Sequence, residues 1–108
     1  MKKVFLVFAL IFACVAGVNG QARFKNKADA LYKKLSYQLA IPYYEHHLKK
    51  NIDNDATMKL ADCYRLTHDY QNAAKWYDKV LAIPGHPPIT YFYYGHALLQ
   101  NGDIDGAR

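Results

Sequence analysis

LADCYRLTHDYQNAAKWYDKVL, Leu60 to Leu81, reads as two short amphipathic helices joined by a tight turn. Leu60, Ala61 and Tyr64 fall on one stripe of the first helix, and Ala73, Tyr77, Val80 and Leu81 on one stripe of the second. Thr67-His68-Asp69 between them is rich in turn formers. The pattern recurs on both sides. Ala28, Leu31, Tyr37, Ala40, Tyr44 and Leu48 stand 33 residues before Ala61, Tyr64, Tyr70, Ala73, Tyr77 and Leu81. A third copy starts 34 residues after the second, with Gly95, Leu98, Ile104 and Ala107 in place of Ala61, Tyr64, Tyr70 and Ala73. A period of about 34 residues with small residues at two fixed places predicts an all-α stack of helix–turn–helix units.

The small residues at Ala28, Ala40, Ala61, Ala73, Gly95 and Ala107 mark where two helix axes approach most closely. A larger side chain there would force the rods apart, at roughly 1–3 kcal/mol. Tyr64, Trp76 and Tyr77 supply flat aromatic surfaces to fill the wedge between hairpins.

The spacing predicts helices over about 25–34, 38–50, 56–66, 71–82 and 89–99. Asn51 to Asp55 is expected as a polar break, and Pro84 to Pro88 as the stop before the fifth helix. Pro42 should distort or delay the second helix. A sixth helix begins just before Arg108, so the sequence reads as the front of a longer protein.

The start of the chain differs from the rest. Met1-Lys2-Lys3 is basic and Val4 to Val18 is almost wholly apolar. Fifteen helical residues reach roughly 22 Å, short of the ~30 Å hydrocarbon core of a bilayer. A short basic start, a brief apolar run and small residues describe a secretory signal peptide, residues 1–20, cleaved before Gln21. A second reading makes Cys14 a lipidation site behind Ala13, and a third keeps the segment as an anchor. Residues 21–108 then form the repeat region.

The whole chain carries 14 basic and 9 acidic residues. No run of Lys or Arg exceeds two, so nothing points to nucleic acid. Removal of the leader takes Cys14 with it and leaves Cys63, so no internal disulfide is expected. His46 and His47 diverge by about 100° on a helix, and no second cluster lies at ligand spacing, so no metal is expected. Mid-helix Cys63 lacks an electropositive setting and reads as a buried thiol. Asp62 and Arg65, three apart, suit an ion pair. No phosphate loop or nucleophile constellation is present, so neither catalysis nor a cofactor is expected.

The repeat is similar to the tetratricopeptide (TPR) repeat, and the fold it implies is a helical solenoid of about two and a half repeats, near 24–54, 55–88 and 89–108. A narrower resemblance rests on KADALYKKLSYQLAIPYYE, Lys27 to Glu45, and on LADCYRLTHDYQNAAKWY, Leu60 to Tyr77. Both resemble the N-terminal repeats of exported OmpA-family proteins of Bacteroidetes. That resemblance implies residence in the periplasm and association with the outer membrane, through domains beyond Arg108 or a lipid anchor. It implies peptidoglycan binding only if a C-terminal OmpA domain follows, and it includes proteins tied to outer-membrane secretion and gliding machinery.

In such stacks the A helices line a concave groove. The resemblance places Lys25, Asp29, Tyr32 and Lys33 there from repeat one, Met58, Asp62, Arg65 and Leu66 from repeat two, and Phe92, His96, Leu99 and Gln100 from repeat three. The bland alternative is that several of these pack between repeats. The function implied is a non-catalytic module binding other envelope proteins or peptides. A stand-alone lipoprotein adaptor held by Cys14, or the accessory region of an enzyme, are the alternatives.

Overall fold

The computed structural model describes residues 22–102. The expected signal peptide, Cys14, Ile104 and Ala107 lie outside them. Five helices follow one another: α1 (Arg23–Lys33), α2 (Tyr37–Lys50), α3 (Asn54–Leu66), α4 (Tyr70–Leu81) and α5 (Ile89–Gln100), with no strand among the described residues. Each packs against its chain neighbours, and α1 also touches α3, as in a stack of antiparallel hairpins.

The core sits along the seams. Ala28, Ala40, Ala61 and Ala73 are fully buried, as are Tyr44, Leu60 and Cys63, with Tyr64, Tyr77 and Val80 nearly so. Gly95 is half-buried. Burial, helped by Asp62, pushes the Cys63 thiol up to about 12. The helices thus meet over small side chains, and tyrosines fill the space around them.

Local chemistry sets the helix ends. α3 starts at Asn54, inside the stretch expected as a break, because Asp53 caps it by accepting from the Ala56 amide at 3.1 Å. Asp69 caps α4 in the same way through the Asn72 amide, at 3.3 Å. α5 starts at Ile89, where the spacing predicts it, directly after Pro87 and Pro88. Pro42 does not delay α2, which begins five residues earlier and runs on to Lys50. The proline ring lies on the exposed side, so the carbonyl it leaves unpaired, that of Gln38, belongs to a residue facing water.

The turns within hairpins share one geometry. The Ser36 amide donates to the Leu31 carbonyl and the Leu35 amide to that of Tyr32; Asp69 and His68 repeat this with Tyr64 and Arg65. This double closure requires a left-handed residue at its centre. Leu35, His68 and Gly102, spaced by the repeat, have φ of 62°, 64° and 85°.

Candidate partner-binding groove

Two chemistries occupy the A-helix positions assigned to the groove. Over α1 and α3 the side chains form a bonded polar network. The Tyr44 hydroxyl donates to Asp29 Oδ1 at 2.5 Å, and one repeat later the Tyr77 hydroxyl donates to Asp62 Oδ1 at 2.5 Å. Tyr32 donates to the other Asp62 oxygen at 3.3 Å, and Arg65 Nε donates to the Tyr77 hydroxyl at 2.8 Å. The expected Asp62–Arg65 ion pair forms at 3.4 Å, and the guanidinium also lies 3.8 Å from the ring centre of Tyr93 on α5.

Electrostatics keep the phenols protonated. Burial, then the Asp62 carboxylate, pushes Tyr32 up to about 12, and burial with the Asp29 and Asp62 hydrogen bonds raises Tyr44 and Tyr77 further. Lys25 and Lys59 extend the network at the other end. Lys25 Nζ is 3.1 Å from Asp53 and 3.4 Å from Asp55, while Lys59 Nζ is 3.0 Å from Asp55 and 3.3 Å from Asp29.

Five of the assigned residues, Lys25, Asp29, Tyr32, Asp62 and Arg65, therefore hold helices together as well as facing outward. Met58 is partly buried against the core. On α5 the chemistry changes. Phe92 is 66% exposed and Leu99 52%. His96 is half-buried, with its ring parallel to that of Phe92 at 6.3 Å and edge-on to Tyr70 at 5.6 Å. Lys33, Leu66 and Gln100 are exposed.

Sequence reasoning missed three participants. Lys59 bridges α1 and α3 without standing at a repeat position. The imidazole of His47, only 6% exposed, donates from Nε2 to Asp53 Oδ2 at 2.9 Å and so ties the end of α2 to the cap of α3. Glu45 accepts from the Tyr64 hydroxyl across the same seam. The Asp–Tyr pairs were findable: both members recur at 33 residues with the same 15-residue separation.

Among the described residues no three His, Cys, Asp or Glu side chains converge to hold a metal, and no helix is long and apolar enough to cross a membrane. No curated protein matches the chain. A family profile described as tetratricopeptide repeat matches residues 25–87, more than half of its length. With helical hairpins at that period and small residues at each crossing, the chain belongs to the tetratricopeptide-repeat family.

Proposed function

We propose that this chain is a protein–protein interaction module that serves as the N-terminal part of an exported OmpA-like cell-envelope protein, holding partners at the periplasmic side of the outer membrane. Tetratricopeptide repeats generally mediate protein–protein contacts, and the fold typically carries no catalysis. The observation that carries the groove reading is the pairing of exposed anchors with a fixed polar floor. Phe92 and Leu99 stand out on α5, while Tyr32, Asp62, Arg65 and Tyr77, at A- and B-helix positions of the earlier repeats and joined to α5 through Tyr93, are already ordered by their own bonds. A peptide docking there loses little to ordering the floor and gains from burying the two apolar side chains. Export is supported by the basic-then-apolar leader and by the resemblance of Lys27 to Glu45 and Leu60 to Tyr77 to exported proteins.

The test is site-specific photocrosslinking in the native cell, with the reactive side chain at Leu99 and, as a control on the other helix of a hairpin, at Lys75. A partner crosslinked from Leu99 and lost on Phe92→Ser supports the groove. Crosslinks from Lys75 alone overturn it. Replacing Tyr32 and Arg65 is a poorer test, because both hold neighbouring helices. N-terminal analysis of the mature protein separates a start at Gln21 from a lipidated Cys14.

A further inference from the structure

We infer that the outer face of the first hairpin, centred on Arg23, Lys27 and Ala30, is a second docking surface, and that it takes a helix with an acidic face. The argument starts from register. α5 packs on α4, the helix before it, and buries Thr90 and Ala97 there. One repeat earlier the same positions of α3 are Ala56 and Cys63, with Leu60 between them, all fully buried. This stripe is therefore the one an A helix turns to the preceding B helix. In α1 it reads Arg23, Lys27 and Ala30, and all three are exposed. The seat that holds a helix twice inside the stack is present a third time at its first helix, with cations substituted for apolar side chains.

The surface has shape as well as charge. Arg23, Phe24, Lys27, Ala30 and Tyr43 line an open depression of about 580 Å³. Phe24 is half-buried, its ring 4.1 Å from that of His46, and Tyr43 is half-buried against the core. These aromatics are walls, not protrusions. A bilayer takes up apolar groups that stand proud of the surface, whereas a recessed apolar floor between cations fits the ridge of one helix.

Charge complementarity identifies the occupant. Among the described residues, Asp29, Asp53, Asp55 and Asp62 pair with Lys25, Lys59, Arg65 or His47 inside the fold. Arg23 and Lys27 join no ion pair among the described residues, and neither do Lys33, Lys34, Lys49 and Lys50 of the same hairpin. The sequence has no acidic residue before Asp29, so the chain's own leader cannot neutralise them. Arg23 and Lys27 are one turn apart on α1, so carboxylates four apart on a partner helix would face both. A small or apolar side chain one turn beyond the carboxylate that faces Lys27 would sit over Ala30.

The experiment uses the full chain and a synthetic helical peptide of about 16 residues, with Glu at i and i+4 and with Ala and Leu continuing the same face beyond them. Fluorescence anisotropy should show saturable binding that weakens with added salt. Arg23→Glu combined with Lys27→Glu should weaken it at least about tenfold through like-charge contact, with an unchanged melting curve. A peptide with Lys in place of the Glu pair should regain affinity for that reversed variant. Equal binding of a scrambled peptide of the same charge, no effect of the reversal, or binding of anionic phosphatidylglycerol vesicles but not of the peptide would each overturn the inference. Photocrosslinking from Leu99 reads the groove on α5, so either surface can fail without the other.

Discussion

The Tyr77 hydroxyl donates to Asp62 at 2.5 Å across hairpin two, and this bond is the same one that Tyr44 makes to Asp29 in hairpin one, displaced by one repeat. Each joins the A helix of a hairpin to its B helix from a tyrosine buried in the seam. The hydroxyl sits at the end of an apolar body, so one side chain fills the core and bonds a carboxylate at its edge.

Tyr77→Phe should therefore destabilise the chain by about 1.5–3 kcal/mol, the range for a bond to a charged acceptor. Tyr44→Phe should cost less, because the Tyr77 hydroxyl also accepts from Arg65, a bond with no counterpart at Tyr44 among the described residues. Urea unfolding followed by helical circular dichroism measures both. Equal and negligible losses would show that the hydroxyls serve only as surface groups.

Leu35→Gly should stabilise the protein. Leu35 is 71% exposed and holds φ of 62°, so it gives up little packing and bears a left-handed backbone that costs an L-residue roughly 1–2 kcal/mol. Glycine's greater unfolded freedom returns about 0.5–1 kcal/mol of that, leaving a gain of about half to one kcal/mol. His68→Gly should gain less, since the His68 imidazole lies 2.9 Å from the Tyr70 hydroxyl. Gly102 already supplies the residue this turn prefers. A fall in the unfolding midpoint for Leu35→Gly would contradict the account.

Ala61→Leu should cost roughly 1–3 kcal/mol by overpacking, and Ala30→Leu close to nothing. Both alanines lie mid-helix, but Ala61 is fully buried where α3 meets its neighbours and Ala30 is exposed. Thermal unfolding of the pair separates helix propensity, which is the same for both, from crossing distance.

The fold was legible because the packing rule repeats. Ala28, Ala61 and Gly95 mark the crossings, and a defect in any single copy is outvoted by the others. The helix starts were less legible. Asn54 and Asp55 look like loop formers, yet both are helical because Asp53 takes the capping role first. The groove was legible only in part. Periodicity marks which residues share a face, and Asp29, Asp62, Tyr32 and Arg65 do share one. Whether they await a partner or bond each other depends on distances across helices. Lys59 and His47, which stand at no repeated position, help to settle that. Pro42 misled because a residue's effect depends on whether the carbonyl it strands can reach water.

Stability should fall at both ends of the pH range, for different groups. Partial burial pushes the Asp53 carboxyl up, but the Ala56 amide, Lys25 and His47 outweigh it and hold it below 3.8. A lowered carboxylate stabilises above its unfolded value, and that contribution is lost as pH falls through the folded one, so the acid limb lies below about pH 4. Tyr32, Tyr44 and Tyr77 are raised above 10.0, first by burial. Their contribution is complete below pH 10 and is lost as pH rises, with Tyr32 passing its folded value at about 12. Urea midpoints measured across that range should show Asp53→Asn flattening the acid limb only, and Tyr44→Phe the alkaline limb only. An alkaline limb unchanged in Tyr44→Phe, Tyr77→Phe and Tyr32→Phe alike would mean that lysine deprotonation, and not the phenols, sets it.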